Sequence, residues 1–247
     1  MIRLHKNPEV PLKIPEFSCD TNSVGEHLNH HPLLQLLNCY GFLLIIGRPK
    51  QGKTSLAISL MTQSEPKIYK KTHHHNLIVM PSNSIHSLKK NPFKGLPPEN
   101  FYDELDIPTM ESIYSRIDEW SKDDEKTLLL IDDQTASLKS SKYVQDVLKK
   151  LVFNRRHLKL NIIMTVQSYV NVPLDLRKNI QNMILFKPSK KEFQLVFDEL
   201  LEQRKERALE VMKLTYDDDT KHNFLFLHVE SQRMFKNWDE IVVEDEF

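Results

Sequence analysis

The sequence predicts an α/β fold with a mainly parallel β-sheet that is flanked by helices. Short apolar runs alternate with stretches whose apolar residues recur at helical spacing, as in repeated strand–helix units. Several of these runs are apolar throughout, which is typical of strands that are buried on both faces. With 247 residues, 40% of them hydrophobic, the chain is long enough to bury a large core. Successive parallel strands would be joined by right-handed crossovers.

The elements can be assigned in order along the chain. Strands are predicted from their apolar runs at residues 42–46, 76–80, 128–131, 162–166, 183–186 and 224–229. Helices are predicted from the spacing of apolar residues at 55–61, 108–120, 144–152 and 191–209. We interpret residues 1–247 as one domain, with a helical and loop insertion at about 84–125.

The first residues, about 1–20, are predicted to form an extended arm. Pro8, Pro11 and Pro15 lie in this segment, and proline fixes the φ angle and removes a donor from any strand ladder. The arm is either a loose terminus or a segment that docks on a neighbouring subunit, and the sequence leaves both open.

A loop with two glycines follows the first buried strand. Residues 47–54 match the phosphate-loop pattern G-x-x-x-x-G-K-[ST], with an apolar strand before them and an apolar helix pattern after them. Backbone N–H groups of such a loop converge on a phosphate, and glycine tolerates the backbone angles and the close approach. The sequence therefore predicts nucleoside triphosphate binding by Gly47, Arg48, Pro49, Lys50, Gln51, Gly52, Lys53, Thr54 and Ser55.

Two residues of this loop have specific expected roles. Lys53 would reach the β- and γ-phosphates as a point charge. The hydroxyl of Thr54 would ligate Mg²⁺ where the following helix begins, and the N-terminus of that helix would face the anion. The expected ligands are therefore ATP and Mg²⁺.

Two acidic residues end the predicted strand at 128–131. A strand that is buried on both faces cannot keep two carboxylates inside, so Asp132 and Asp133 must emerge at its carboxyl end, where open α/β sheets bind their ligands. Asp132 would hold Mg²⁺, directly or through water. Asp133 is the candidate for polarising the attacking water.

A glutamine, Gln167, ends the apolar strand predicted at 162–166. If this strand lies between the phosphate-loop strand and the acidic strand, its tip points at the nucleotide. The amide of Gln167 could then donate to the γ-phosphate and accept a hydrogen bond from water.

Composition limits the possible classes of partner. The chain has 34 basic and 34 acidic residues, so its formal net charge is zero and any contact with nucleic acid must be local or shared among subunits. Lysines at 139–142 and 187–191 are candidates for such contacts, or ordinary solvated loop charges.

Cys19 and Cys39 are too few for a disulfide framework or a zinc site. The apolar runs are far shorter than the roughly 20 residues of a membrane span, and no signal-peptide pattern opens the chain. We expect a soluble protein that is not an integral membrane protein.

Taken together, these motifs resemble one family. The resemblance spans about residues 40–190 and points to the genome-packaging ATPases of large double-stranded DNA viruses and virophages, the poxvirus-type branch of the FtsK/HerA translocases. It implies a RecA-like core in which an additional strand separates the phosphate-loop strand from the acidic one. It also implies a ring of subunits that acts on double-stranded DNA without sequence readout. The segments that carry it are residues 47–55, 131–133, 154–158 and 162–168.

The same resemblance implies an arginine that each subunit presents to its neighbour's ATP, where it stabilises charge on the transferring phosphoryl group. Arg156 matches this position best and Arg155 second, while Arg177 resembles another basic position after the glutamine strand. The chain departs from many related ATPases at Asp133, where they carry glutamate. Its carboxylate therefore reaches one methylene less far.

The resemblance implies an ATP-hydrolysing DNA translocase that packages double-stranded viral DNA into a preformed capsid. Its expected setting is the host cytoplasm or virus factory, with a capsid or virion-membrane protein as a further partner. Two alternatives stay open. One is a nucleotide or nucleoside kinase, whose lid would be the mixed-charge segment 203–207, and the other is an ATP-dependent switch or scaffold without motor activity. A GTPase would carry an Asn-Lys-x-Asp motif, which the sequence lacks.

Overall fold

The computed structural model describes residues 2–5, 36–37, 40–64, 67–86, 88, 91–201, 204–217 and 222–243. Within these residues, one sheet contains the strands β1 Ile2–His5, β2 Phe42–Ile46, β3 His75–Val79, β4 Phe101–Tyr102, β5 Thr127–Asp132, β6 Leu160–Val166, β7 Asn182–Phe186, β8 Phe224–His228, β9 Arg233–Lys236 and β10 Asp239–Val243. The helices are α1 Lys53–Thr62, α2 Ser82–His86, α3 Ile107–Lys122, α4 Thr135–Ser140, α5 Lys142–Asn154, α6 Leu174–Arg177, α7 Lys190–Leu200 and α8 Lys205–Tyr216.

The strand order across the sheet is β1-β10-β9-β8-β7-β2-β6-β5-β3-β4. The strands from β7 to β4 in this order are parallel, whereas β8, β9, β10 and β1 continue the sheet with antiparallel pairs. The predicted α/β fold with a mainly parallel sheet is therefore confirmed. Because β6 separates β2 from β5, the sheet also has the additional strand of a RecA-like core.

Helices cover both faces of the sheet. Side chains alternate between the two faces along each strand, so each strand contributes to two cores. In β2, Phe42, Leu44 and Ile46 pack into a core with α3, α5, α7 and α8. Leu43 and Ile45 face the opposite way, into a second core that contains the buried residues of α1. All residues of β2, β5, β6, β7 and β8 are buried, which explains why their sequences are such clear apolar runs.

Two sequence predictions about the second half of the chain differ from the structure. The continuous helix predicted at 191–209 is wrong, because α7 ends at Leu200 and α8 begins at Lys205. The two helices bury separate apolar faces, and no glycine or proline marks the break. The sequence analysis also missed β9 and β10. These strands lie near one edge of the sheet, and their short runs mix polar and apolar residues, which makes them hard to recognise as strands.

The two edge strands of the sheet, β1 and β4, come from the predicted N-terminal arm and the predicted insertion. Ile2–His5 pairs with β10 as an antiparallel strand, and residues 6–20 of the predicted arm lie outside the described residues. Docking of that arm on a neighbouring subunit stays a prediction. The predicted insertion at 84–125 contains β4, which extends the sheet beside β3, and all of α3. Among the described helices, none is both long and apolar enough to span a lipid bilayer.

We expect the substitution Leu148→Ala to test the packing of α5 against the sheet. The Leu148 side chain is fully buried in the core, so its truncation leaves a cavity and should lower the free energy of unfolding by about 2–5 kcal/mol. Urea unfolding followed by circular dichroism would measure the loss. Lys150→Ala on the exposed face of the same helix is the matched control and should change stability by less than about 0.5 kcal/mol. Equal losses in the two variants would contradict the helix orientation.

Candidate nucleotide-binding and catalytic site

Apart from the arginines, the predicted site residues meet at the carboxyl ends of three parallel strands. The phosphate loop follows β2, Asp132 ends β5, and Gln167 follows β6. The strand register pairs Ile46 with Val166 and Asp132 with Thr165, so the ends of β2, β6 and β5 lie level with one another. This edge of an open α/β sheet is where ligands bind.

The backbone of the phosphate loop depends on its glycines. Gly52 has φ of 102°, a left-handed conformation that favours glycine, and Lys50 earlier in the loop has φ of 65°. At Gly47 an added Cβ would lie 2.8 Å from Cβ of Phe186 in β7. Glycine therefore suits the loop at two positions: Gly52, where the backbone is left-handed, and Gly47, where it packs closely on the neighbouring strand.

A glutamine braces this loop from inside. The amide oxygen of Gln51 accepts a hydrogen bond from the backbone N–H of Arg48 at 2.5 Å, and its amide nitrogen donates to the Lys187 carbonyl at 3.2 Å. His222, just before β8, contacts the Gln51 carbonyl at 3.2 Å through Nδ1. The sequence analysis placed Gln51 among the nucleotide-binding residues but did not foresee these contacts. It also missed His222, because no local pattern links a residue 171 positions away to the loop.

Lys53 is held between the loop and the acidic residues. Its side chain is nearly buried, and Nζ donates a hydrogen bond to the Arg48 carbonyl at 3.2 Å. Burial lowers the pKa of Lys53, while the carboxylates of Asp133 and Asp132 oppose that shift by attracting the charge. A phosphate in the loop would compensate the buried ammonium, which is the role that the sequence predicts for Lys53.

Asp132 and Thr54, the two predicted metal ligands, touch each other. The hydroxyl of Thr54 donates to the Asp132 carboxylate at 2.9 Å, and the hydroxyl of Thr165 donates to Oδ1 of the same carboxylate at 2.8 Å. Asp132 is only 2% exposed, and this burial raises its pKa, while the two hydroxyl donors lower it. Hydroxyl and carboxylate oxygens at the start of a helix are the hard ligands that suit Mg²⁺.

Thr165 was missed by the sequence analysis. It lies in register with Asp132 on the neighbouring strand, and its hydroxyl also accepts a hydrogen bond from the backbone N–H of Asp133 at 3.0 Å. One signal was present in the sequence, because Thr165 is a hydroxyl residue inside an otherwise apolar run. Its role becomes visible only when the order of the strands is known.

Asp133 and Gln167 form a second contact, next to Asp132. The amide nitrogen of Gln167 donates to the Asp133 carboxylate at 3.0 and 3.2 Å, and both side chains are exposed. Asp133 has φ of 50°, a left-handed conformation that aspartate tolerates better than most residues. The two residues can therefore meet a water molecule or a phosphate that approaches from solvent.

The two arginines before β6 have different surroundings. Arg155 is buried, and its guanidinium donates to the Val152 carbonyl at 2.8 Å and to the Gln181 amide oxygen at 3.4 Å. Arg156 is exposed. Both precede the seven residues of β6, so they lie at the amino edge of the sheet, roughly 20 Å from the phosphate loop. The structure does not bring either of them to the nucleotide site of its own chain.

Arg177, the third arginine of interest, is also engaged within the chain. Its guanidinium pairs with Glu199 at 2.8 Å, lies over the ring of Tyr169 at 5.0 Å, and donates to the Val172 carbonyl at 2.9 Å. These contacts give Arg177 a structural role in the segment that follows Gln167.

Two family models match this chain. The model described as Poxvirus A32 protein matches residues 104–244, which is more than half of the chain. A second model, described as inactive STAND, matches residues 33–164 and includes the phosphate loop. No curated protein sequence is significantly similar to the chain.

Several solved structures share the fold. B204, the DNA-packaging ATPase from Sulfolobus turreted icosahedral virus, has 16% sequence identity and a TM-score of 0.60, with 85% of this chain and 100% of that chain covered. The genome packaging NTPase B204 from Sulfolobus turreted icosahedral virus 2, in complex with ATP-γS, has 16% identity and a TM-score of 0.56, with coverage of 84% and 98%. The cytoplasmic domain of the Thermomonospora curvata type VII secretion ATPase EccC has 12% identity and a TM-score of 0.53, and the match covers 83% of this chain but 26% of that one.

Asp132 leads to a prediction about stability and pH. Burial raises the pKa of Asp132, so the native state binds the carboxyl proton more tightly than the unfolded chain does. Stability therefore falls as pH rises from the pKa of the unfolded chain to the raised pKa of the native state. At pH values above the raised pKa the buried carboxylate is ionised, so Asp132→Asn should there raise the free energy of unfolding by on the order of 1 kcal/mol, the usual size of such a stabilising change. The gain should disappear at pH values below the ordinary range for aspartate.

Urea unfolding without nucleotide, at several pH values, would measure this difference. Asp198→Asn removes a charge from an exposed acid on α7, away from Asp132, and is the matched control. If Asp132→Asn were less stable than the wild type at every pH tested, the hydroxyl hydrogen bonds would outweigh the effect of burial.

Proposed function

The chain belongs to the Poxvirus A32 protein family, and we propose that it is an ATP-hydrolysing translocase that packages double-stranded viral DNA into a preformed capsid. The observation that carries the proposal is the paired contact at the mouth of the phosphate loop. Thr54 contacts Asp132 there, and Gln167 contacts Asp133 beside it. The shared fold with B204, itself a DNA-packaging ATPase, supports the same function.

In this proposal the triphosphate of ATP occupies the loop at 47–54. Backbone N–H groups and the ammonium of Lys53 hold the β- and γ-phosphates, and the N-terminus of α1 faces the same charge. Thr54 and Asp132 would hold Mg²⁺, which when bound neutralises phosphate charge. Their mutual hydrogen bond keeps both oxygens on one side of the loop.

Hydrolysis then needs a positioned water and a stabilised phosphoryl group. The Asp133 carboxylate can accept a proton from the attacking water, while the Gln167 amide, which donates to Asp133, orients both. Arg156 would supply charge stabilisation from a neighbouring subunit, since it lies at the opposite edge of its own sheet. Arg155 is the weaker candidate for this role, because its guanidinium is buried and bonded within the chain.

The alternative with an observation in its favour is a nucleotide-dependent switch or scaffold without motor activity. The match to the model described as inactive STAND supports it. A protein that only binds nucleotide needs Lys53, but it does not need Asp133 and Gln167 in contact at the γ-phosphate end of the loop. Their contact favours hydrolysis. The kinase alternative has less support, because the described part of its lid segment, residues 204–207, is the start of a charged helix.

The proposed partners follow from the same function. The net charge of zero is compatible with DNA binding if a few lysines per subunit are repeated around a ring, since phosphate contacts need no sequence readout. A homo-oligomeric ring would also place Arg156 of one copy at the ATP of the next. A capsid or virion-membrane protein and a location in the host cytoplasm or virus factory complete the proposal.

Steady-state ATP hydrolysis with and without long double-stranded DNA tests this function. Wild-type turnover should increase with DNA, while Lys53→Ala and Arg156→Ala should each lower it by roughly 100-fold. Mixing the two variants should restore part of the activity, because an Arg156→Ala subunit keeps an intact loop and the adjacent Lys53→Ala subunit still provides Arg156.

Lys150→Ala, an exposed change on α5, is the control and should hydrolyse ATP like the wild type. Turnover that ignores DNA, with Arg156→Ala fully active, would exclude the translocase. ATP binding without any turnover in the wild type would favour the switch.

A further inference from the structure

The side chain of Gln167 is exposed, so burial does not fix its orientation towards Asp133. A long exposed side chain retains rotamer freedom, and its working position depends on the backbone that carries it. The backbone of Gln167 is held on one side by β6, which ends at Val166, and on the other side by the residues that follow, so both set where the amide lies. In the proposed reaction, a displacement of about 1 Å at such a group is enough to slow catalysis severely.

One carboxylate holds the backbone directly after Gln167. Oε1 of Glu192 accepts a hydrogen bond from the Ser168 hydroxyl at 2.6 Å and another from the Tyr169 backbone N–H at 2.6 Å. Hydrogen bonds to a charged acceptor are stronger than neutral ones. The two residues after Gln167 are thus tied to one atom on a different element, 24 and 23 positions away in the chain.

Glu192 is itself well fixed at the start of α7. Ser189 caps the helix, and its hydroxyl accepts the backbone N–H of Glu192 at 3.2 Å. A Ser-x-x-Glu spacing normally turns the glutamate back to the cap. Here Oε1 reaches across to the segment after β6 instead. The adjacent Phe193 is buried in the core, which holds this turn against the sheet.

A second contact two turns along α7 reinforces the first. The buried Tyr169 donates its hydroxyl to Glu199 at 2.8 Å, and Glu199 in turn pairs with Arg177. Burial and the neighbouring Glu199 raise the pKa of Tyr169, so its hydroxyl stays a donor. Residues 192 and 199 are seven apart and lie on the same face of the helix, so α7 forms hydrogen bonds to residues 168–169 at two points.

We propose that Glu192 is a positioning residue for Gln167. It acts by fixing Ser168 and Tyr169, and it does not contact the nucleotide. This inference rests on the proposed ATPase function. Loss of the carboxylate should lower kcat by roughly 10-fold or more and leave KM for ATP unchanged, because the phosphate loop and Lys53 are not touched.

The experiment compares kcat and KM for ATP in Glu192→Ala, Glu192→Gln and Asp198→Ala. Glutamine keeps an acceptor oxygen at the same distance, so Glu192→Gln should retain most of the wild-type kcat. Asp198 is an exposed acid on α7, so Asp198→Ala controls for the lost charge and should behave like the wild type. The same Glu192→Ala change is also made together with Gln167→Ala, where it should cause little further loss because the group it positions is gone.

Several outcomes would overturn the inference. A Glu192→Ala protein with wild-type kcat would do so, as would an equal loss of kcat with and without Gln167. If Glu192→Ala fails to fold, Ser168→Ala takes its place, because it removes one of the two hydrogen bonds to Glu192. Ser168→Ala should give a smaller loss of kcat at constant KM, and an unchanged kcat would equally overturn the inference. A wild-type protein that binds ATP without hydrolysing it would instead overturn the proposed function, and this inference with it.

Discussion

The buried carboxylate of Asp132 is the group on which the site depends. It accepts hydrogen bonds from the hydroxyls of Thr54 at the start of α1 and Thr165 in β6. A single carboxylate at the end of β5 therefore connects β5, α1 and β6. Hydrogen bonds to a charged group stabilise by roughly 1.5–3 kcal/mol, which offsets part of the free energy of burying the charge. The register of β5 and β6 must hold for this contact, because a slip of one residue would turn Thr165 to the other face of the sheet.

The apolar core allows this edge to carry destabilising groups. Lys53 and Asp132 are both nearly buried, and burial disfavours the charged form of each. Neither would be tolerated at the centre of β2 or β5, where side chains on both faces pack into apolar clusters. Near the carboxyl ends of these strands the same residues have polar partners instead: Lys53 donates to the Arg48 carbonyl, and Asp132 accepts from the hydroxyls of Thr54 and Thr165. The division between the largely apolar centre of the sheet and its charged rim is therefore what places the chemistry.

Much of this arrangement is readable in the sequence, and the exceptions have physical reasons. The strands at 42–46, 128–131 and 162–166 are continuous apolar runs because both of their faces are buried, and the residues that end them lie at the edge that binds ligands. Thr165 and Glu192 escaped notice because their partners lie on other elements, and only the strand order and helix packing bring them together. The family resemblance ranked Arg156 ahead of Arg155, but nothing in the two residues themselves explains that order. Their difference depends on how α5 ends, which turns one guanidinium inwards and leaves the other exposed.

The position of Arg156 constrains how copies of the chain could cooperate. It precedes β6, whereas the phosphate loop and Gln167 follow the opposite ends of their strands. If Arg156 completes a neighbour's site, the two surfaces in contact are different parts of the molecule, and the contact is heterologous. A two-fold dimer would have to include both edges of the sheet in one self-complementary interface. Repetition of a heterologous contact closes into a ring when its rotation permits, and each site in that ring then has the same composition. Under the proposed role of Arg156, the position of β6 therefore links the charge that stabilises the transferring phosphoryl group to the symmetry of the assembly.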